Sequence, residues 1–138
     1  MIKQRLVKMV EYLSQKYPDD QNIQRLKENF RPDNISEGLP DGKYTSYSVN
    51  KGEKIVFCVR QRDSNNSLVN INTMMFVAIH EMAHLMSKSI GHTPKFWENM
   101  KILLQKVLDS DLNIYKYQSF HKNPEEYCGT KITDTPLN

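Results

Sequence analysis

Cysteine is scarce, long apolar runs are missing, and neither sign of charge dominates in this chain of 138 residues. The two cysteines, Cys58 and Cys128, are too few for a disulfide framework and have no Cys-x-x-Cys spacing. They fit free buried thiols in a reducing compartment. The longest uninterrupted apolar run, Met74 to Ile79, covers six residues, whereas a membrane span needs roughly twenty. No membrane-crossing helix and no membrane partner are expected. The opening Met-Ile-Lys-Gln-Arg-Leu-Val-Lys-Met-Val sets charge among its apolar residues and holds no apolar core of a secretory signal, so the expected location is intracellular, cytoplasm or nucleus. Internal repeats and low-complexity stretches are absent as well.

What remains has the makings of one domain over residues 1–138. Hydrophobic residues make up 38% and charged residues 25%, which suits one modest core and is far from a disordered composition. The net charge of +3 is unevenly spread. Residues 1–31 hold seven bases (Lys3, Arg5, Lys8, Lys16, Arg25, Lys27, Arg31) against four acids (Glu11, Asp19, Asp20, Glu28), and the rest of the chain balances. A mild basic excess on amphipathic helices usually marks a solvated face; its other reading is a DNA contact through the N-terminal segment.

Ile2, Leu6, Met9, Val10 and Leu13 recur at helical spacing and predict a first helix over about 2–16, stopped by Pro18. Asp19 or Asp20 caps a second, with Ile23, Leu26 and Phe30 as its stripe and Pro32 at its end. Residues 31–42 have the composition of a loop, with no helix expected. Two β-rich stretches, 43–49 and 54–60, flank a turn at Asn50-Lys51-Gly52-Glu53 and predict a hairpin. Asn70 or Asn72 then caps the next helix.

That helix carries the chemistry. From Met74 to Met86 every residue is apolar except His80, Glu81 and His84. A helix apolar around nearly its whole circumference is a buried one, and unpaired polar groups are costly there. At about 100° per residue, His80 and His84 lie about 40° apart on one face, one turn along the axis. This is H-E-x-x-H, two nitrogen ligands for zinc with Glu81 placed to act on a water beside the metal. Shuffling this composition would produce the pattern about once in 150 to 200 chains.

A catalytic zinc takes three protein ligands and leaves a position open. Downstream candidates are His92, Glu98, His121, Glu125 and Glu126. Gly91 favours a helix-ending turn, and Thr93-Pro94 supplies the cap and first residue of a further helix to about Leu108, with Phe96, Met100, Leu103, Leu104 and Val107 inward. His92 is thus held at a helix junction. Glu98, the alternative, has Lys95 and Lys101 at helical spacing and is expected to face solvent.

Together, His80 to His84 and Gly91-His92-Thr93-Pro94-Lys95-Phe96-Trp97 resemble the WLM and SprT-like metalloproteases, zincin-like peptidases in which H-E-x-x-H is followed by a Gly-His pair and a downstream Phe. Upstream, Ser48 to Arg62 resembles that family's strand pair ending in Arg-x-Arg, and the resemblance is good over about 45–108. The tail Pro124-Glu125-Glu126-Tyr127-Cys128-Gly129 resembles metalloproteases encoded by large DNA viruses.

The resemblance implies an α+β fold, a minimal zincin-like domain with N-terminal helices, a small β-hairpin sheet, the buried motif helix and a following C-terminal helix. It implies one Zn2+ held by His80, His84 and His92, with Glu81 moving a proton from water to the leaving amine. It also implies a strand, Lys54 to Arg60, beside the cleft. That strand would pair with an extended protein or peptide substrate through Val56, Cys58 and Arg60. Substrates associated with or crosslinked to DNA are the class the family suggests. Tyr115 and His121 are candidates for steadying an oxyanion, while Trp97 is expected to pack. The competing function is a non-proteolytic, zinc-stabilised module that binds nucleic acid or protein.

Overall fold

The computed structural model describes residues 2–38, 46–49, 54–58, 71–87, 92–110, 112–117, 120, 122, 124–127, 130–132 and 135–136. Helix α1 spans Ile2–Lys16. Leu6, Met9, Val10 and Leu13, at helical spacing, are buried, so one stripe faces the core. Helix α2, Gln21–Asn29, starts where Asp20 accepts hydrogen bonds from the Asn22 and Ile23 amides. It buries Ile23 and Leu26, with Phe30 just beyond its end.

Residues 31–42, expected to be a loop, are partly regular. Pro32–Asn34 form a turn of 3-10 helix and Ile35–Gly38 form strand β1. The partner is distant in sequence: β1 pairs in parallel with β3, Lys54–Cys58, from Ile35 opposite Ile55 to Gly38 opposite Cys58. Strand β2, Ser46–Val49, pairs with the other edge of β3 as the expected antiparallel hairpin. The sheet order is therefore β1-β3-β2.

That order corrects one expectation. β3 is the central strand, with both backbone edges engaged from Ile55 to Phe57, so it cannot take a substrate by strand addition at Val56. The Val56 side chain is itself buried. Arg60, His121 and Cys128 lie outside the described residues, as does the side chain of Cys58.

Helix α3, Ile71–Met86, lies at the centre of the fold and packs on α1, α2 and α4, the last spanning Pro94–Leu108. Its buried set includes Met74, Met75, Phe76, Ala78, Ile79, Met82, Ala83, Leu85 and Met86. Asn72 is not a cap but sits within the first turn. Its side chain donates to the Lys116 carbonyl and accepts from the Lys116 amide, at 3.1 and 2.9 Å. The segment after α4 is thereby pinned to the start of α3. Asn113 takes the left-handed conformation there, φ 54°, which Asn tolerates better than most residues. Ile114, Tyr115 and Phe120 complete the core, and β4 (Glu125–Tyr127) and β5 (Thr130–Ile132) form a separate two-stranded ribbon. The architecture is α+β, and no described helix is long and apolar enough to cross a membrane.

Candidate metal centre

The last carbonyls of a helix have no partner within it and must find one elsewhere. At the end of α3 they find α2. Asn29 Nδ2 donates to the Leu85 carbonyl at 2.9 Å, and Arg25 Nη1 donates to the Met86 carbonyl at 2.7 Å. Ser87 Oγ donates to the Ala83 carbonyl and accepts from Asn99 Nδ2 of α4, whose Oδ1 accepts from Asn22. The turn that carries His84 is thus fixed from two sides.

On the far side of the junction, Thr93 accepts from the Phe96 amide at 3.2 Å as the N-cap of α4, with Pro94 in its first turn. This is the expected cap, and it brings His92 back over α3. The rings of His80, His84 and His92 have mutual centroid distances of 5.1, 5.0 and 5.0 Å. Each offers one nitrogen within 4.8 Å of the others, and the Nε2 atoms of His80 and His92 are 3.1 Å apart.

Phe96 is the floor of this cluster. It is fully buried, stacked on His84 at 4.3 Å and edge-on to His80 and His92 at 5.1 and 5.0 Å. Trp97, expected to pack in the core or between helices, borders the site and is stacked on His92 at 5.3 Å and 42% exposed. Glu81 follows His80 on the same helix and is buried, 6% exposed.

Burial, and then the neighbouring His84 and His92, push His80 down from 6.5 to about 3. Its imidazole is therefore neutral at pH 7, with a lone pair available. The donor set fits a tetrahedral divalent ion. Metal–nitrogen distances of about 2.0–2.1 Å place tetrahedral ligand atoms roughly 3.3 Å apart, close to the 3.1 Å found between His80 and His92. Three imidazoles also leave a position open.

The other candidates fall elsewhere. Glu98 pairs with Lys95 at 3.6 Å on an exposed face. Tyr115 is buried and packs 6.1 Å from Phe76, a core position rather than one among the histidine rings. Sequence reasoning missed Asn22, Arg25, Asn29 and Asn99. For Asn22, Arg25 and Asn29 the signal was a polar stripe at spacings of three and four beside the apolar stripe of α2, but its partners lie more than fifty residues away.

A family model described as the WLM domain matches residues 14–137. An uncharacterized protein of Acanthamoeba polyphaga mimivirus is 38% identical over 115 residues, which cover 83% of this chain and 57% of that protein. Uncharacterized proteins of Invertebrate iridescent virus 6 and Invertebrate iridescent virus 3 are each 34% identical, over 60% of this chain and 44% and 48% of their own lengths. The chain spans about half the length of these relatives, all of them proteins of large DNA viruses, in line with the resemblance of its tail. No solved structure matches it. With the three-histidine cluster inside a family match that covers nearly the whole sequence, the chain belongs to the WLM domain family.

Proposed function

We propose that the chain is a zinc-dependent endopeptidase, with His80, His84 and His92 as the metal ligands and Glu81 as the general base. One observation carries the reading: three histidine nitrogens lie within 4.8 Å of one another, and a buried glutamate directly follows His80 on α3. Zinc held by His80, His84 and His92 would supply a Lewis acid able to polarise a peptide carbonyl and acidify a water.

The chain's own residues do the rest. Glu81, shielded from bulk water, takes the proton from the attacking water, holds it on its carboxylate and gives it to the leaving amine. Phe96, fully buried, keeps the rings aligned from below, while Trp97 lies along the outer face of His92. An extended substrate pairs with an edge strand rather than with β3. Strand β2 packs against α3, and among the described residues its outer edge has no partner strand. Main-chain pairing of this kind recognises sequence only weakly, so protein substrates are the expected class. The solvent-facing Lys8, Lys16 and Lys27 support DNA-associated proteins within that class.

The test compares wild type with Glu81→Gln on casein and histone, with and without single-stranded DNA. Both proteins should bind one zinc, and only wild type should cleave. Stimulation by DNA that fades with salt supports DNA-associated substrates, and its absence leaves a general peptidase. Equal cleavage by the two proteins removes Glu81 as the base.

A further inference from the structure

A cavity of about 330 Å3 opens beside the histidine cluster, lined by Phe76, His80, Trp97, Met100, Thr135 and Pro136. Its walls come from three parts of the chain. Phe76 precedes His80 by one turn of α3, and Trp97 and Met100 are one turn apart on α4. Thr135 and Pro136 close the third side from the far end of the sequence. His80 is the one lining residue that also belongs to the cluster.

From these walls we infer a subsite, resting on the peptidase reading, for a large apolar side chain, aliphatic or aromatic, of the residue adjoining the scissile bond. Three observations support it. First, the cavity and the cluster share His80. A carbonyl at the cluster therefore leaves the neighbouring side chain of an extended peptide, about 3.3 Å per residue along the chain, within reach of the cavity. Second, a cavity of about 150 Å3 already holds a benzene ring, so 330 Å3 admits a Phe or Leu side chain with room for its attachment. Third, Phe76, Trp97, Met100 and Pro136 are apolar, and no Asp, Glu, Lys or Arg is among the described lining residues. A charged side chain would lose its water there without an opposite charge among the described lining residues to replace it.

The cavity is also firm on one side. Phe76 is buried and packs at 4.7 Å on Phe120, and Met100 is fully buried. Trp97 is the exposed wall, held by its stack on His92. As the single tryptophan of the sequence, it also reports on whatever enters.

Binding is measured on the zinc-loaded Glu81→Gln chain with blocked hexapeptides that differ at one position, Phe, Leu, Ala or Asp. The readouts are Trp97 emission and calorimetry. The Phe and Leu peptides should bind about ten- to a hundredfold more tightly than the Ala peptide and shift the emission. Two further substitutions in that background, read by calorimetry, locate the effect. Trp97→Ala removes a half-exposed side chain and should cut the preference to less than about threefold with zinc content unchanged. Pro136→Phe, which narrows the cavity, should weaken the Phe peptide about tenfold and spare the Ala peptide. Equal affinities across the series, no binding of any peptide, or a preference that both variants leave intact overturns the subsite. A wild type that cleaves casein without any apolar preference loses the subsite alone. A chain that prefers the Phe peptide while wild type cleaves nothing loses the peptidase reading alone.

Discussion

His80 shows what burial does to a side chain meant for a metal. Its ring is edge-on to Phe96 and within 5.1 Å of two other imidazoles, so a proton there would meet both poor solvation and the approach of like charges. The folded chain holds it neutral down to about pH 3, whereas the unfolded chain protonates it near 6.5. The unfolded state therefore binds the extra proton between those values, and the contribution of His80 to stability is complete above pH 6.5 and declines as pH falls toward 3. In chelator, the urea midpoint of the metal-free protein should fall steadily below pH 6.5 and fall less in His80→Gln. Parallel curves for the two proteins would contradict this. At this scale His80, Glu81 and His84 were legible because helical spacing alone creates their geometry, and His92 because Thr93-Pro94 marks where the chain restarts. Trp97 was not legible. It falls off the inward stripe of α4, and its place at the site depends on where His92 lands.

At the scale of elements, the site depends on how α3 ends. Arg25 and Asn29 reach from α2 to the carbonyls of Met86 and Leu85, so the turn after His84 is closed by another helix as well as by its own Ser87. Removing Arg25 leaves a partly buried carbonyl without its charged donor, at a cost of about 1–3 kcal/mol. Lys27, exposed on the same helix, should tolerate alanine within about 0.5 kcal/mol. Urea unfolding of Arg25→Ala and Lys27→Ala separates these effects, and equal losses would show that only helix charge matters. The four helices and the hairpin were readable from periodicity and turn residues. Strand β1 was not, since Ile35-Ser36-Glu37-Gly38 has no alternating pattern and becomes a strand only by pairing with β3.

Across the whole molecule, the N-terminal basic excess divides into two uses. Arg5 donates to the Ile114 carbonyl at 3.0 Å, Arg25 holds α3, and Lys3 pairs with Asp33 at 3.4 Å. These bases tie α1 and α2 to the rest of the fold, while Lys8, Lys16 and Lys27 face solvent. The tail is likewise structural. Asn72 anchors Lys116, Phe120 packs on Phe76, and Thr135 and Pro136 reach the cavity beside His80. None of these three tail ties was visible in the sequence, because each joins segments more than forty residues apart.

The proposed function rests on the convergence of three imidazoles, which zinc binding tests most directly. Zinc content by mass spectrometry, with affinity set by competition against a chelator, should give one ion per wild-type chain and an affinity lower by about a hundredfold or more in His92→Ala. Wild-type protein without stoichiometric zinc, or a His92→Ala variant that binds it as tightly, would contradict the account.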